Sequence, residues 1–204
     1  MVAVFSWNFF QNSLISSATC LTDNKNLIRE SGFAHYLIPV SIVLANIINF
    51  FPALLVLLVI SLYVLKGASI YILLLPAILS IHITITIGLT IIVSILYVKW
   101  RDIKYVLEAV FMPLFYLTPA FYSIFLIKSI LPDFLYKIYI YSPFVSILYL
   151  YRIALLKRFH AAMNNDISIF ISIISSSIFA VFVFWLSAFI YKKNKDVIND
   201  HLSY

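Results

Sequence analysis

Charged side chains divide this chain into long uncharged stretches. None stands between Glu30 and Lys66, between Lys66 and Lys99, or between Asp166 and Lys192. Each gap exceeds the ~20 residues that cross about 30 Å of hydrocarbon at a rise of ~1.5 Å per residue. The pattern predicts membrane-crossing helices over 35–65, 69–98 and 167–191. Two more crossings are expected. One covers 1–22, which is uncharged but ends in a polar mixture, and the other covers about 105–125, interrupted by Pro113 and Pro119. Membrane helices tolerate such prolines where neighbouring groups re-satisfy the freed carbonyls. Polar segments at 23–34, 99–104 and 192–204 separate or close these runs.

Residues 126–166 follow a different pattern. Lys128, Pro132, Asp133, Lys137, Pro143, Arg152, Lys157 and Arg158 break them into short apolar pieces. The stretch is too charged for one span and too apolar for a solvated loop. It predicts short re-entrant or interfacial helices, with Tyr136, Tyr139, Tyr141, Tyr149 and Tyr151 suited to headgroup depth.

Orientation follows from Lys and Arg placement. Segments 23–34, 99–104 and 192–204 hold eight of the 14 basic residues, close to helix ends, and the other side holds six, five of them in one long segment. The positive-inside rule then puts the first side in the cytosol. This leaves Met1 outside or within the membrane with no helix before it, so the natural N-terminus is expected further upstream. No cleavable signal peptide is evident, since the first charge is Asp23.

Composition narrows the function. The chain is 64% hydrophobic and 11% charged, against about a quarter charged in soluble domains. A net charge of +6 does not indicate nucleic acid, because the basic residues cluster at the ends of apolar runs and form no continuous face. They suit anionic headgroups instead. The single Cys20 excludes an internal disulfide and a cysteine metal site. Gly32, Gly67 and Gly88 stand alone, so no phosphate-cradling glycine loop exists here. Any energised transport draws on a partner or an ion gradient. No cofactor, metal cluster or catalytic set of side chains is visible.

A few residues carry more specific expectations. In 23–34, Leu27 and Ile28 are flanked by Lys25, Arg29 and Glu30. Such a segment is either a solvated loop or an apolar knob for a partner's groove, with its charges setting register. Arg101 and Asp102 either touch a partner or bond each other at the surface. Glu108 either faces a polar interior or reaches the headgroups and Lys104. His82 is a weak proton-relay candidate, and a neutral imidazole bonded to a neighbouring helix is the commoner state. Tyr116, Phe121, Tyr122 and Phe125, beside Thr118 and Pro119, can stack on sugar faces or simply pack.

Several stretches in order resemble a known family. WNFF at 7–10 is followed by Asn26, Leu27, Ile28, Arg29, Phe33 and Pro39; then come Arg101-Asp102-Ile103, Glu108, LTPAFY at 117–122, Ser142-Pro143 and Tyr151-Arg152. In this order and spacing they are similar to the permease subunits of ABC-type polysaccharide exporters. Glu30, Ala34, Met112 and Ser142 depart from the usual Lys, Pro, Gln and Asn of that family. Members also begin with an interface helix and a first membrane helix that this sequence does not show.

The resemblance implies a homodimeric, all-α permease in the cytoplasmic membrane, driven by two separate ABC ATPase subunits and moving O-antigen, capsule or teichoic-acid chains. It implies one membrane domain over 1–204 with five crossings and outer-side gate helices within 126–158. Asn26, Leu27, Ile28, Arg29, Glu30, Arg101 and Asp102 would contact the ATPase. Glu108, Tyr116, Thr118, Pro119, Tyr122, Pro143 and Arg152 would form the path and gate. An ion-driven carrier would need more ionisable residues at mid-membrane and an internal repeat. A non-transporting assembly protein is the third alternative.

Overall fold

A computed structural model describes residues 2–28, 34–63, 70–122, 124–156 and 168–203, with positions 27, 125 and 196–203 as backbone only. Among the described residues all regular structure is helical. The elements are α1 (Val2–Ala18), α2 (Cys20–Asp23), α3 (Lys25–Ile28), α4 (Leu37–Tyr63), a 3-10 turn (Ile70–Leu74), α5 (Leu75–Lys99), α6 (Ile103–Leu117), α7 (Ile124–Ile130), α8 (Asp133–Ile140), α9 (Pro143–Leu155) and α10 (Ile169–Ser203).

Three segments are long and apolar enough to cross a membrane: Leu37–Tyr63, Ile70–Lys99 and Ile169–Lys195. Each covers most of one of the three uncharged runs, and the third continues past Tyr191 into the polar segment, where the helix runs on to Ser203. The other two expected crossings are shorter. Helix α1 has 17 residues and α6 has 15, or ~25 and ~22 Å at ~1.5 Å per residue. Helix α6 stops at Thr118, whose backbone is extended (φ −83°, ψ 143°), the geometry favoured before a proline, whereas Pro113 is carried inside the helix. The 126–158 stretch contains three short helices, α7 to α9, where a pair was expected. Helices α8 and α9 meet at 76° across Tyr141 and Ser142, with Pro143 starting α9. Lys157 and Arg158 lie outside the described residues.

Helix α1 packs against α4, α5, α6 and α9. Its WNFF stretch supplies the aromatic centre of the bundle: Trp7, Phe9 and Phe10 are buried against Phe50, His82, Phe111 and Phe144. Helices α5 and α10 pack along each other at Gly88, where an added Cβ would lie 2.7 Å from Val183 Cγ1.

Most hydroxyls in the long helices bond to their own helix. Ser13, Thr84 and Thr86 donate to carbonyls four residues back, and Thr90, Ser94 and Ser187 to carbonyls three back. Ser61 and Ser175 instead reach other elements, donating to the carbonyls of Leu155 and Tyr141.

A candidate clasp at the end of a broken helix

Helix α6 ends at one end of the bundle with exposed carbonyls, because Pro119 has no N–H and Thr118 has left helical geometry. A buried or lipid-facing carbonyl without a donor costs several kcal/mol. The chain supplies donors from three directions. Thr118 Oγ1 shares its hydrogen between Leu114 O (3.0 Å) and Phe115 O (3.2 Å). The hydroxyls of Tyr122 and Tyr139, 3.0 Å apart, both lie 2.9 Å from Leu117 O.

Arg152 completes the set from α9. Its Nη1 donates to Tyr122 O at 3.1 Å, and its Nη2 donates to Ala120 O at 3.0 Å and to Pro119 O. A planar guanidinium presents several donors in fixed directions, which suits three carbonyls on one turn. Helices α8 and α9 thus hold the segment 117–122 through two side chains, Tyr139 and Arg152.

Of the expected path and gate residues, Thr118, Pro119, Tyr122 and Arg152 meet in this clasp. Pro143 lies apart from it, at the α8–α9 bend. Tyr116 and Glu108 are exposed on the outward side of α6, with Tyr105 and Met112. Sequence reasoning missed Tyr139, which it grouped with rings at headgroup depth. Three of that group are buried inside the fold: Tyr136 and Tyr149 because α8 and α9 close on each other and on Ile124, and Tyr151 because α9 turns it into the main core against Phe50 and His82. Tyr151 Oη lies 3.3 Å from His82 Nδ1, the neighbouring-helix bond expected of a neutral His82.

Arg152 also lines an apolar groove of about 660 Å3 between α1, α4 and α9, with Val2, Phe5, Pro52, Val56 and Leu155 on its walls.

The expected coupling residues lie at the opposite end. Asn26 is exposed, while Ile28 is buried with Cys20, Leu21, Ile38, Ile91 and Ile95. Ile28 is therefore an anchor inside its own chain and presents no outward knob. Of Leu27 only the backbone is described, and Arg29 and Glu30 lie outside the described residues. Arg101 and Asp102 are both exposed at the turn into α6.

No family model matches the chain. Over 123 residues, 60% of this chain and 47% of the relative, it is 26% identical to the O-antigen export system permease protein RfbA of Myxococcus xanthus. The chain is a relative of an export permease. It spans about half the length of the curated relative it matches. Together with three long apolar helices, this makes it a multi-pass membrane protein.

Proposed function

We propose that the chain is the membrane-spanning subunit of an ATP-driven exporter that moves polysaccharide across the cytoplasmic membrane, with ATP hydrolysed on a separate ABC ATPase. The likeness to an O-antigen export permease carries this reading. The permease itself does no covalent chemistry and works by gating.

Helix α6 supports a paired arrangement. Tyr105, Glu108, Met112 and Tyr116 recur at helical spacing on its exposed side, and the three besides Glu108 are each more than 60% exposed. A carboxylate turned toward lipid at mid-helix costs about 2.5–3.5 kcal/mol. A second copy facing the first would enclose Glu108 in a polar interior and offer the tyrosine rings to a sliding sugar chain.

The segment 23–34, with Arg101 and Asp102, receives the ATPase. The clasp at 117–122 closes the outer mouth, and α7 to α9 open it. His82 gives little support to an ion-driven carrier, since its imidazole is enclosed by Phe9, Phe10 and Tyr151.

The test is deletion of the gene with measurement of surface polysaccharide, alongside purification of the tagged chain. Loss of surface polymer, restored by the intact gene, and co-purification of a P-loop ATPase are expected. Normal surface polymer in the deletion, or a purified chain free of any ATPase, overturns the reading.

A further inference from the structure

Helix α10 touches both ends of the machinery described above. At one end α3 lies against it. There Ile28 shares a buried cluster with Ile190 and Tyr191, and the rings of Tyr36 and Tyr191 meet edge to face at 5.4 Å. Lys99 Nζ donates to Asn194 Oδ1 at 2.5 Å, which ties the end of α5 to the same stretch.

At the other end α10 grips the bend between α8 and α9. Ser175 Oγ donates to Tyr141 O at 2.7 Å, and the Ser168 N–H lies 3.3 Å from Tyr141 Oη. Phe179 packs on Phe144 of α9, ring to ring at 5.7 Å. Between the two joints the helix has no proline and no glycine. From Ser175 to Tyr191 it runs ~24 Å at ~1.5 Å per residue. Helix kinks almost always arise at proline, at Gly/Ser pairs or at an inserted group. Past Ser175-Ser176-Ser177 the stretch 178–191 has a lone serine, Ser187, and is suited to act as a stiff unit.

We propose that α10 is the connecting rod of the exporter: displacement of α3 and Tyr36 is carried by Tyr191 to Ser175, turns the α8–α9 bend through Tyr141, and releases the Arg152 clasp on 119–122. The proposal rests on the exporter reading. It adds a third helix to the two, α1 and α4, that flank the coupling segment in the chain. It also makes Tyr191, Ser175 and Tyr141 positioning residues that touch neither ATP nor polymer.

The test uses the complex purified with its ATPase and a Phe121→Cys reporter beside the clasp. Labelling by a water-soluble maleimide is compared without nucleotide and with ATP plus orthovanadate. The reporter alone is expected to change its labelling rate several-fold. Ser175→Ala and Tyr191→Ala are each expected to remove more than half of that change while ATP hydrolysis continues. The double variant is expected to lose no more than the worse single, because both joints lie on one path.

Unchanged reporter responses in both single variants, or losses that add in the double, overturn the rod. A silent reporter in the otherwise unaltered complex defeats the exporter reading itself. Should Tyr191→Ala fail to assemble, Tyr36→Cys and Tyr191→Cys are stapled by a short reducible linker. ATP hydrolysis unaffected by the staple supports a joint that moves as one body. Inhibition that a reductant reverses overturns it.

Discussion

Val183 Cγ1 occupies the place where a side chain on Gly88 would begin, 2.7 Å from the ideal Cβ position, with the Val183 backbone carbon and oxygen at 3.2 Å. The valine methyl can turn away, but the backbone behind it cannot without moving α10. Gly88→Ala is therefore expected to cost about 1–3 kcal/mol, as overpacking of a tight core does. Val183→Ala added to it should recover only part of the loss, because the backbone contacts persist. Thermal unfolding of the detergent-purified protein measures both.

Arg152→Leu leaves three carbonyls on one turn without their donor. Each buried acceptor left unsatisfied costs about 1–3 kcal/mol. The variant should melt well below the parent, and a Phe121→Cys reporter should label faster in the absence of nucleotide. Arg152→Lys should fall between the two, since a single ammonium cannot reproduce the planar fork.

Thr118→Val keeps the shape and removes the hydroxyl bonded to Leu114 O and Phe115 O. Loss of one such bond amounts to about 0.5–1.5 kcal/mol. The expected phenotype is a modest drop in melting temperature with the clasp reporter unchanged, because Arg152 and Tyr139 still hold the segment.

His35, just before α4, is buried, and among the described residues its Nδ1 has no hydrogen-bond partner. Burial foremost, then the nearby Lys195 ammonium, holds its imidazole below the ordinary value of 6.5. As pH falls through 6.5 the unfolded chain takes up a proton that the folded chain resists, so stability must drop as the medium is acidified. His35→Gln should flatten this slope below pH 6.5, and melting curves between pH 5 and pH 8 test it (about the range in which histidine ordinarily titrates).

Much of the fold is legible in the sequence, for reasons that differ by element. The runs without charge give α4, α5 and the apolar part of α10, because crossing the hydrocarbon sets a minimum uncharged length. The continuation of α10 through the polar tail to Ser203 is not marked by that pattern. Pro119 marks the end of α6 because the residue before a proline favours extended geometry, although Pro113 shows that the same signal is overridden inside the helix. The donors that repair this end are another matter. Arg152 lies 33 positions from Pro119, and Tyr139 22 positions from Leu117. Which tyrosine of α8 faces inward depends on the 76° bend, which periodicity does not encode. Ile28 is a similar case. Beside Lys25 and Arg29 it reads as an outward knob, yet Ile190 and Tyr191, far along the chain, help enclose it.

The hydroxyls that bond back to their own helix have a mechanical consequence. Along the middle of α5 and α10, Thr86, Thr90, Ser94 and Ser187 leave no polar bond to be broken between neighbouring rods. Between α5 and α10 resistance to slippage comes chiefly from interlocking shape at Gly88. Among the described residues the bond that pins these two helices is Lys99 to Asn194 near the tip, while His82 and Tyr151 tie α5 to α9 further in. Sliding of α10 along α5 would therefore meet a steric barrier at Gly88 and, among the described residues, break a polar bond between them at Lys99 and Asn194.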